Sequence, residues 1–187
     1  ALKFFSREPY ANRERYHQNM ARVADIAASV PFIQHDNLID VHNFSQFQGV
    51  RAMSMEWVDG FDLGYLLDPA TLAAIEPRVS SRDWAHLNDV VITAGPHRSR
   101  LKPGIAIAIV RECLGGLGAL HRGGIVHGDV KPSNVMLKKI GSTKLIDLGS
   151  ACRSGSETPP FTPQYAAPEV LESGRHSPYS DLASLGY

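Results

Sequence analysis

Apolar positions recur in two periods along the chain, and the switching between them sets out the elements. Residues 1–5 read as the end of a strand. Across residues 12–29, Met20, Val23, Ala24, Ala27 and Val30 return at roughly helical spacing, which predicts a long helix. His35-Asp36-Asn37-Leu38-Ile39-Asp40-Val41 reads as a turn feeding a strand, and residues 50–58 as a second short strand. Gly60 breaks that strand, and a short helix starts at residues 62–67. Residues 68–100 are punctuated by Pro69, Pro77, Gly95, Pro96 and, just beyond, Pro103 and Gly104. Between them Trp84, Leu87, Val90, Val91 and Ile92 suggest one helical piece.

Residues 105–122 predict a helix with Ile109, Cys113, Leu117 and Leu120 on one stripe. Gly115, Gly116 and Gly118 each weaken it by about 1 kcal/mol relative to Ala, so burial must compensate. Gly123-Gly124 ends it. Residues 125–126, 135–137 and 144–146 are short apolar runs that read as strands. Residues 150–164 are rich in Ser, Thr, Pro and Gly and are expected to be mobile.

Length allows one domain, or one and a fraction. Nineteen basic and nineteen acidic side chains cancel, which removes the electrostatic argument for nucleic acid or an anionic membrane as the main partner. Cys113 and Cys152 are far apart in the chain, with no C-x-x-C and no H-E-x-x-H, so neither a disulfide framework nor a structural zinc site is expected. A reducing, cytoplasmic setting is the simpler reading. The opening Ala-Leu-Lys shows no leader, and the longest central apolar run, residues 105–110, is too short to span a bilayer.

The chemistry concentrates in His127-Gly128-Asp129-Val130-Lys131-Pro132-Ser133-Asn134-Val135-Met136-Leu137. An acid, a base and an amide share one short loop, and Asp147 follows in Leu145-Ile146-Asp147-Leu148-Gly149. Phosphoryl transfer needs this set: a carboxylate to orient the attacking hydroxyl, a cation to steady the moving group, and an Asn and an Asp to hold magnesium against the phosphates.

The loop resembles the protein-kinase catalytic loop, H-R-D-L-K-P-x-x-N, and Asp147-Leu148-Gly149 resembles the D-F-G motif. The resemblance implies an α+β fold: a partial two-lobe kinase, with a small β-rich lobe over residues 1–58. A hinge and short helix follow at 59–67, then an insertion at 68–100, and part of the helical large lobe at 101–187. It identifies the chain as the middle of a serine/threonine protein kinase domain using ATP and Mg2+, with a protein Ser/Thr hydroxyl as acceptor. Asp129 and Lys131 would be catalytic, and Asn134 and Asp147 would hold metal. Ala1-Leu2-Lys3 resembles the end of the V-A-I-K strand, so Lys3 would contact the α- and β-phosphates.

Met53-Ser54-Met55-Glu56-Trp57-Val58 resembles the hinge. Met55 would be the gatekeeper, and the Glu56 carbonyl and Val58 amide would bind the adenine edge. Asp62 matches the ribose-binding position or is a helix N-cap, and Met136 is the adenine floor or ordinary core. Phe161-Thr162-Pro163-Gln164-Tyr165-Ala166-Ala167-Pro168-Glu169 resembles G-T-P-x-Y-x-A-P-E, so Thr162 would bond near Asp129 and Lys131. Asp181 would accept hydrogen bonds from the catalytic-loop backbone.

The chain departs from the pattern in three places. Gly128 stands where the family usually carries Arg, which implies activity that does not require phosphates on Ser154, Ser156 or Thr158. No glycine precedes Gly49, so the glycine-rich loop is expected upstream of Ala1, and the last third of the large lobe downstream; the segment is expected to be incomplete on its own. The helix acid that pairs with Lys3 is either Glu14 or Asp25. Two other readings stay open: a small-molecule phosphotransferase of the aminoglycoside or choline kinase type, and a pseudokinase scaffold.

Overall fold

The computed structural model describes residues 1–8, 12–93, 95, 99–156 and 159–187; Pro96 and Thr158, singled out above, lie outside the described residues. In chain order it holds β1 (Leu2–Phe5), α1 (Arg13–Ser29), β2 (Val41–Phe47), β3 (Val50–Met55), β4 (Gly60–Asp62), α2 (Leu63–Leu67), α3 (Pro69–Ile75), α4 (Ser81–His86), β5 (Ile92–Thr93) and β6 (Arg100–Leu101). There follow α5 (Pro103–Arg122), β7 (Ile125–Val126), β8 (Val135–Lys138), β9 (Thr143–Leu145), β10 (Cys152–Arg153), α6 (Pro168–Ser173) and α7 (Pro178–Gly186).

The small lobe is the antiparallel sheet β1-β3-β2 with α1 against it. Asn12 caps α1 by accepting from Arg15 N at 2.8 Å, and Tyr16, Met20, Val23, Ile26 and Ala27 form its buried stripe. A second antiparallel sheet, β4-β8-β9, runs beneath the hinge. The expected strand over 50–58 stops at Met55, and Gly60 opens a new strand instead of breaking one. A Cβ at residue 60 would sit 2.2 Å from the Leu137 carbonyl oxygen, so only glycine lets β4 approach β8 this closely. Segment 37–39 ties the lobes together, with Ile39 N donating to Leu145 O and Leu145 N to Asn37 O, both at 2.9 Å.

Among the described residues of 68–100, α4 runs directly into a π-helical turn at Leu87–Val91, which is the helical piece expected, except that Ile92 begins β5; α3 is a second helix that the pattern did not predict. Ser80 and Asp68 supply separate N-caps, and Pro77 ends the first helix, which explains the division. Residues 152–153, inside the stretch read as loop, form β10 and pair with β7.

By length and composition α5 could cross a membrane. Here it is a core helix: Ile109, Cys113, Leu117 and Leu120 are buried, and it packs on β7, β9 and α7. Its glycines divide by surroundings. A Cβ on Gly116 would stand 2.8 Å from the Asn37 carbonyl oxygen and 3.2 Å from a Leu145 methyl, whereas one on Gly118 meets only the end of the Arg122 side chain at 3.4 Å. Ala gains about 1 kcal/mol of helix propensity at either site, but overpacking typically costs about 1–3 kcal/mol. We therefore expect Gly116→Ala to lower stability by roughly 1 kcal/mol and Gly118→Ala to raise it by up to about 1 kcal/mol, read from urea unfolding midpoints.

Candidate functional site

The loop between β7 and β8 is shaped from below. Gly128 adopts φ +76°, and a Cβ there would lie 2.7 Å from the Ser150 carbonyl oxygen. Both the conformation and the close approach demand glycine. Asp181, buried near the start of α7, accepts from His127 N at 2.8 Å and from Gly128 N at 2.9 Å, and His121 Nε2 lies 2.8 Å from the same carboxylate. His127 is fully buried: its Nε2 is 3.0 Å from Ile146 O, and its Nδ1 accepts from Asp129 N at 3.3 Å. That pattern is the neutral tautomer with the proton on Nε2.

On this base, Asp129 presents a carboxylate with both oxygens engaged. Thr162 N donates to Oδ1 at 2.9 Å, and Asn134 Nδ2 donates to Oδ2 at 3.2 Å and to the Asp129 carbonyl at 2.8 Å. Lys131 Nζ sits 2.7 Å from Asp129 Oδ2 and donates to Thr162 Oγ1 at 2.7 Å. The 162–165 turn is thereby attached to the catalytic loop.

Asp147 follows β9 with φ +67°, a left-handed conformation that costs a non-glycine residue on the order of 1 kcal/mol. It is held there by an ion pair with Lys3 of β1 and by Gly149 N, which donates to Oδ1 at 3.0 Å. Burial alone would raise this carboxyl; the Lys3 ammonium, with the Gly149 N–H, holds it below the usual carboxylate range.

The sheet β4-β8-β9 brings the hinge and this cluster into one frame. Asp62 stands opposite Met136, Met136 opposite Lys144, and Ile146 N donates to Asn134 O at 2.9 Å. Asp62 caps α2 through Tyr65 N at 3.0 Å, and Met136 is half-buried. Val58 is buried, and Met55, paired with Val41, is half-buried. Glu56 turns its side chain inward. It accepts from Asp40 N at 2.9 Å and from Lys144 Nζ, a buried ammonium that also donates to Leu38 O at 3.1 Å. Burial, the largest single influence, raises the Glu56 carboxyl, but the Lys144 bond and charge, the Asp40 N–H and the Lys138 charge together outweigh it and the net direction is down.

Neither acid of α1 reaches Lys3. Glu14 is exposed in the first turn, and Asp25 bonds Arg153 of β10, with Nε to Oδ2 at 3.0 Å. From α1 it is Arg22 that bonds the main chain after Asp147, with Asn19 accepting from its guanidinium. Sequence reasoning missed Arg22 and Lys144. The available signals were a long cation beside the apolar stripe of α1 and a lysine inside the apolar strand 143–145, both of which need a polar partner when packed.

Among the described residues no group of three or more His, Cys, Asp or Glu could hold a metal ion unaided. A hard cation at Asp147 and Asn134 would complete its shell from phosphate oxygens and water, the habit of magnesium. Asn134 fits: both its N–H groups point at Asp129, which leaves Oδ1 for a cation.

A cavity of about 1330 Å3 opens beside the loop, lined in part by Gly64, Asp68, Arg100, Pro132, Gln164 and Tyr165.

A small sheet with one helix, joined by a hinge to a helical part that carries the loop with Asp129, Lys131 and Asn134, defines the two-lobe kinase-like fold. The family model described as "Protein kinase domain" matches residues 1–187, and the chain belongs to that family. It is 38% identical to the serine/threonine-protein kinase PknL of Mycobacterium tuberculosis over 106 residues, which are 54% of this chain and 26% of that protein. Against the probable serine/threonine-protein kinase pknA2 of Bifidobacterium longum it is 25% identical over 181 residues, 94% of this chain and 20% of the relative. Against PrkC of Bacillus subtilis it is 24% identical over 183 residues, 95% and 24% respectively. The chain thus spans about a quarter or less of the length of these relatives.

Glu56 gives a pH prediction. A carboxyl whose folded pKa is lowered contributes stability above its unfolded value, here about 4.5, and loses it as pH falls through the folded value. Glu56→Gln is expected to be less stable than wild type at pH 7, with the gap closing as pH falls well below 4.5, measured by unfolding midpoints across pH.

Proposed function

We propose that this chain is the catalytic part of a protein kinase that transfers the γ-phosphoryl group of ATP to a Ser or Thr hydroxyl of a polypeptide. The observation that carries the reading is the Asp129 carboxylate, oriented from three sides by Asn134, Lys131 and the Thr162 amide. A carboxylate so held accepts the hydroxyl proton while aiming the oxygen at phosphorus, and Lys131 stabilises the charge on the group in transit. Lys3 contacts the α- and β-phosphates, and Asp147 with Asn134 holds the metal. Bound magnesium supplies the positive charge that offsets the phosphates. The Glu56 carbonyl and Val58 amide take the adenine edge, Met136 its floor, and Asp62 the ribose as well as capping α2. The Lys144–Glu56 pair supports this by tying the connection between β3 and β4, from which those backbone groups project, to β9.

Two observations favour a polypeptide acceptor over a small molecule. Lys131 and Thr162 bridge the loop to the 162–165 turn, and the adjoining cavity of about 1330 Å3 is wide and lined by that turn. A cytoplasmic, reducing setting accords with Cys113 and Cys152, both buried and unpaired, the first with its thiol pushed up to about 12 by burial.

Activity should not depend on activation-segment phosphates. Residue 128 has no room for the arginine that would receive them, and Arg153 already joins the segment to α1 through Asp25 and, at 2.6 Å, Ser29 Oγ.

In the full-length protein, Asp129→Asn and Asp147→Ala should each lower kcat by about three orders of magnitude, followed by transfer of labelled γ-phosphate to a Ser/Thr polypeptide. Transfer that survives both changes would remove the assignment, and wild type that binds ATP without turnover would identify a scaffold instead. The triple variant Ser154→Ala, Ser156→Ala, Thr158→Ala should keep its rate within about threefold of wild type; silence would refute phosphate independence.

A further inference from the structure

Helix α1 gives no carboxylate to Lys3, whose ion-pair partner is Asp147 itself. It gives Arg22 to the main chain just beyond. Arg22 Nη2 donates to Gly149 O at 2.6 Å, and Nη1 donates to Ala151 O. Asn19, one turn earlier, accepts from Arg22 Nε at 3.2 Å and from Nη2, which sets the plane of the guanidinium. Gly149 O belongs to the tight turn 148–150 and Ala151 O follows it directly, and the Gly149 N–H donates to Asp147 Oδ1.

We infer that Arg22 is a positioning residue for Asp147: by bridging the carbonyls of Gly149 and Ala151, it holds the left-handed turn that aims the Asp147 carboxylate at Lys3 and at a metal-bound nucleotide. The inference rests on the kinase reading above. A planar fork holds its donors on separate nitrogens in one fixed geometry, so it grips two carbonyls at a set spacing with less loss of freedom than a compact, rotatable ammonium. Leu148, buried beneath the turn, blocks collapse inward, so the turn is gripped from α1 and floored from the core. Arg22 belongs to the small lobe and its acceptors to the large one. Seating α1 and shaping the Asp147 turn are therefore one event, with Arg153 on Asp25 and Ser29 as a second grip two residues along.

The test uses the full-length protein with Arg22→Leu and Arg22→Lys, and two readouts. The first needs no turnover: hydrogen exchange at the amides of Gly149 and Ala151 in nucleotide-free protein, with buried α5 amides as the control for global unfolding. Exchange at the turn should be about tenfold faster in Arg22→Leu, with the α5 amides unmoved. The second is the free Mg2+ concentration that half-saturates phosphorylation, which should rise about tenfold in Arg22→Leu and by an intermediate amount in Arg22→Lys, with KM for the polypeptide within about twofold. If either difference is missing, or if Lys is as impaired as Leu, the inference falls. Should Arg22→Leu fail to fold, Arg22→Lys decides: intermediate values on both readouts uphold the inference, and wild-type values overturn it. Wild type that phosphorylates no Ser/Thr polypeptide would remove the kinase reading, while the exchange experiment would still judge Arg22.

Discussion

A buried carboxylate governs the catalytic loop. Asp181 is almost wholly removed from water, and such a group persists only with strong partners. It finds them in two consecutive backbone N–H groups, His127 and Gly128, with His121 alongside. Those bonds require a left-handed turn at Gly128, and that turn brings the backbone against Ser150. The turn sets the course of the chain into Asp129, and the remaining polar contacts of the loop are built outward from there. Charge-assisted bonds to backbone donors are among the stronger interactions available, and they fix the loop together with the packing of Val130 into the core.

The second organising element is the narrow sheet β4-β8-β9. Its three strands carry Asp62, Met136 and Lys144 in register, and Asn134 and Asp147 flank it. Positions scattered over 86 residues of sequence thereby acquire fixed separations, because neighbouring strands permit only one spacing. Gly60 is the concession that lets the first strand join, and the Lys144–Glu56 pair fastens the hinge to the last. Segment 37–39 adds the small lobe to the same edge.

Much of this was legible in the chain because backbone-directed chemistry leaves short, ordered motifs. The run 127–137 and the triplet at 147 identified the loop, and the stripe Ile109, Cys113, Leu117 and Leu120 identified its supporting helix. The pattern failed where an outcome depends on distant partners. Gly60 read as a break, since nothing local reveals a carbonyl 2.2 Å from its missing Cβ. Residues 152–153 read as loop, since two residues carry no period and take their strand from β7. Between Glu14, close after Lys3, and Asp25, better spaced before His35 but an aspartate, the sequence left no choice, and the structure gives Lys3 to neither. Arg22 and Lys144 carried no local sign of their partners, because their acceptors lie more than eighty residues away.

The two arginine contacts between α1 and the following segment differ in exposure. Arg153 and Asp25 are about half open to solvent, while Arg22 and its carbonyl acceptors are partly enclosed. Mobile ions screen the first within a Debye length of about 8–10 Å at physiological ionic strength, but hardly touch the second. Added salt should therefore loosen the chain beyond residue 152 while leaving the turn at 147 seated. Ionic strength becomes a dial that separates the outer reach of the segment from its root.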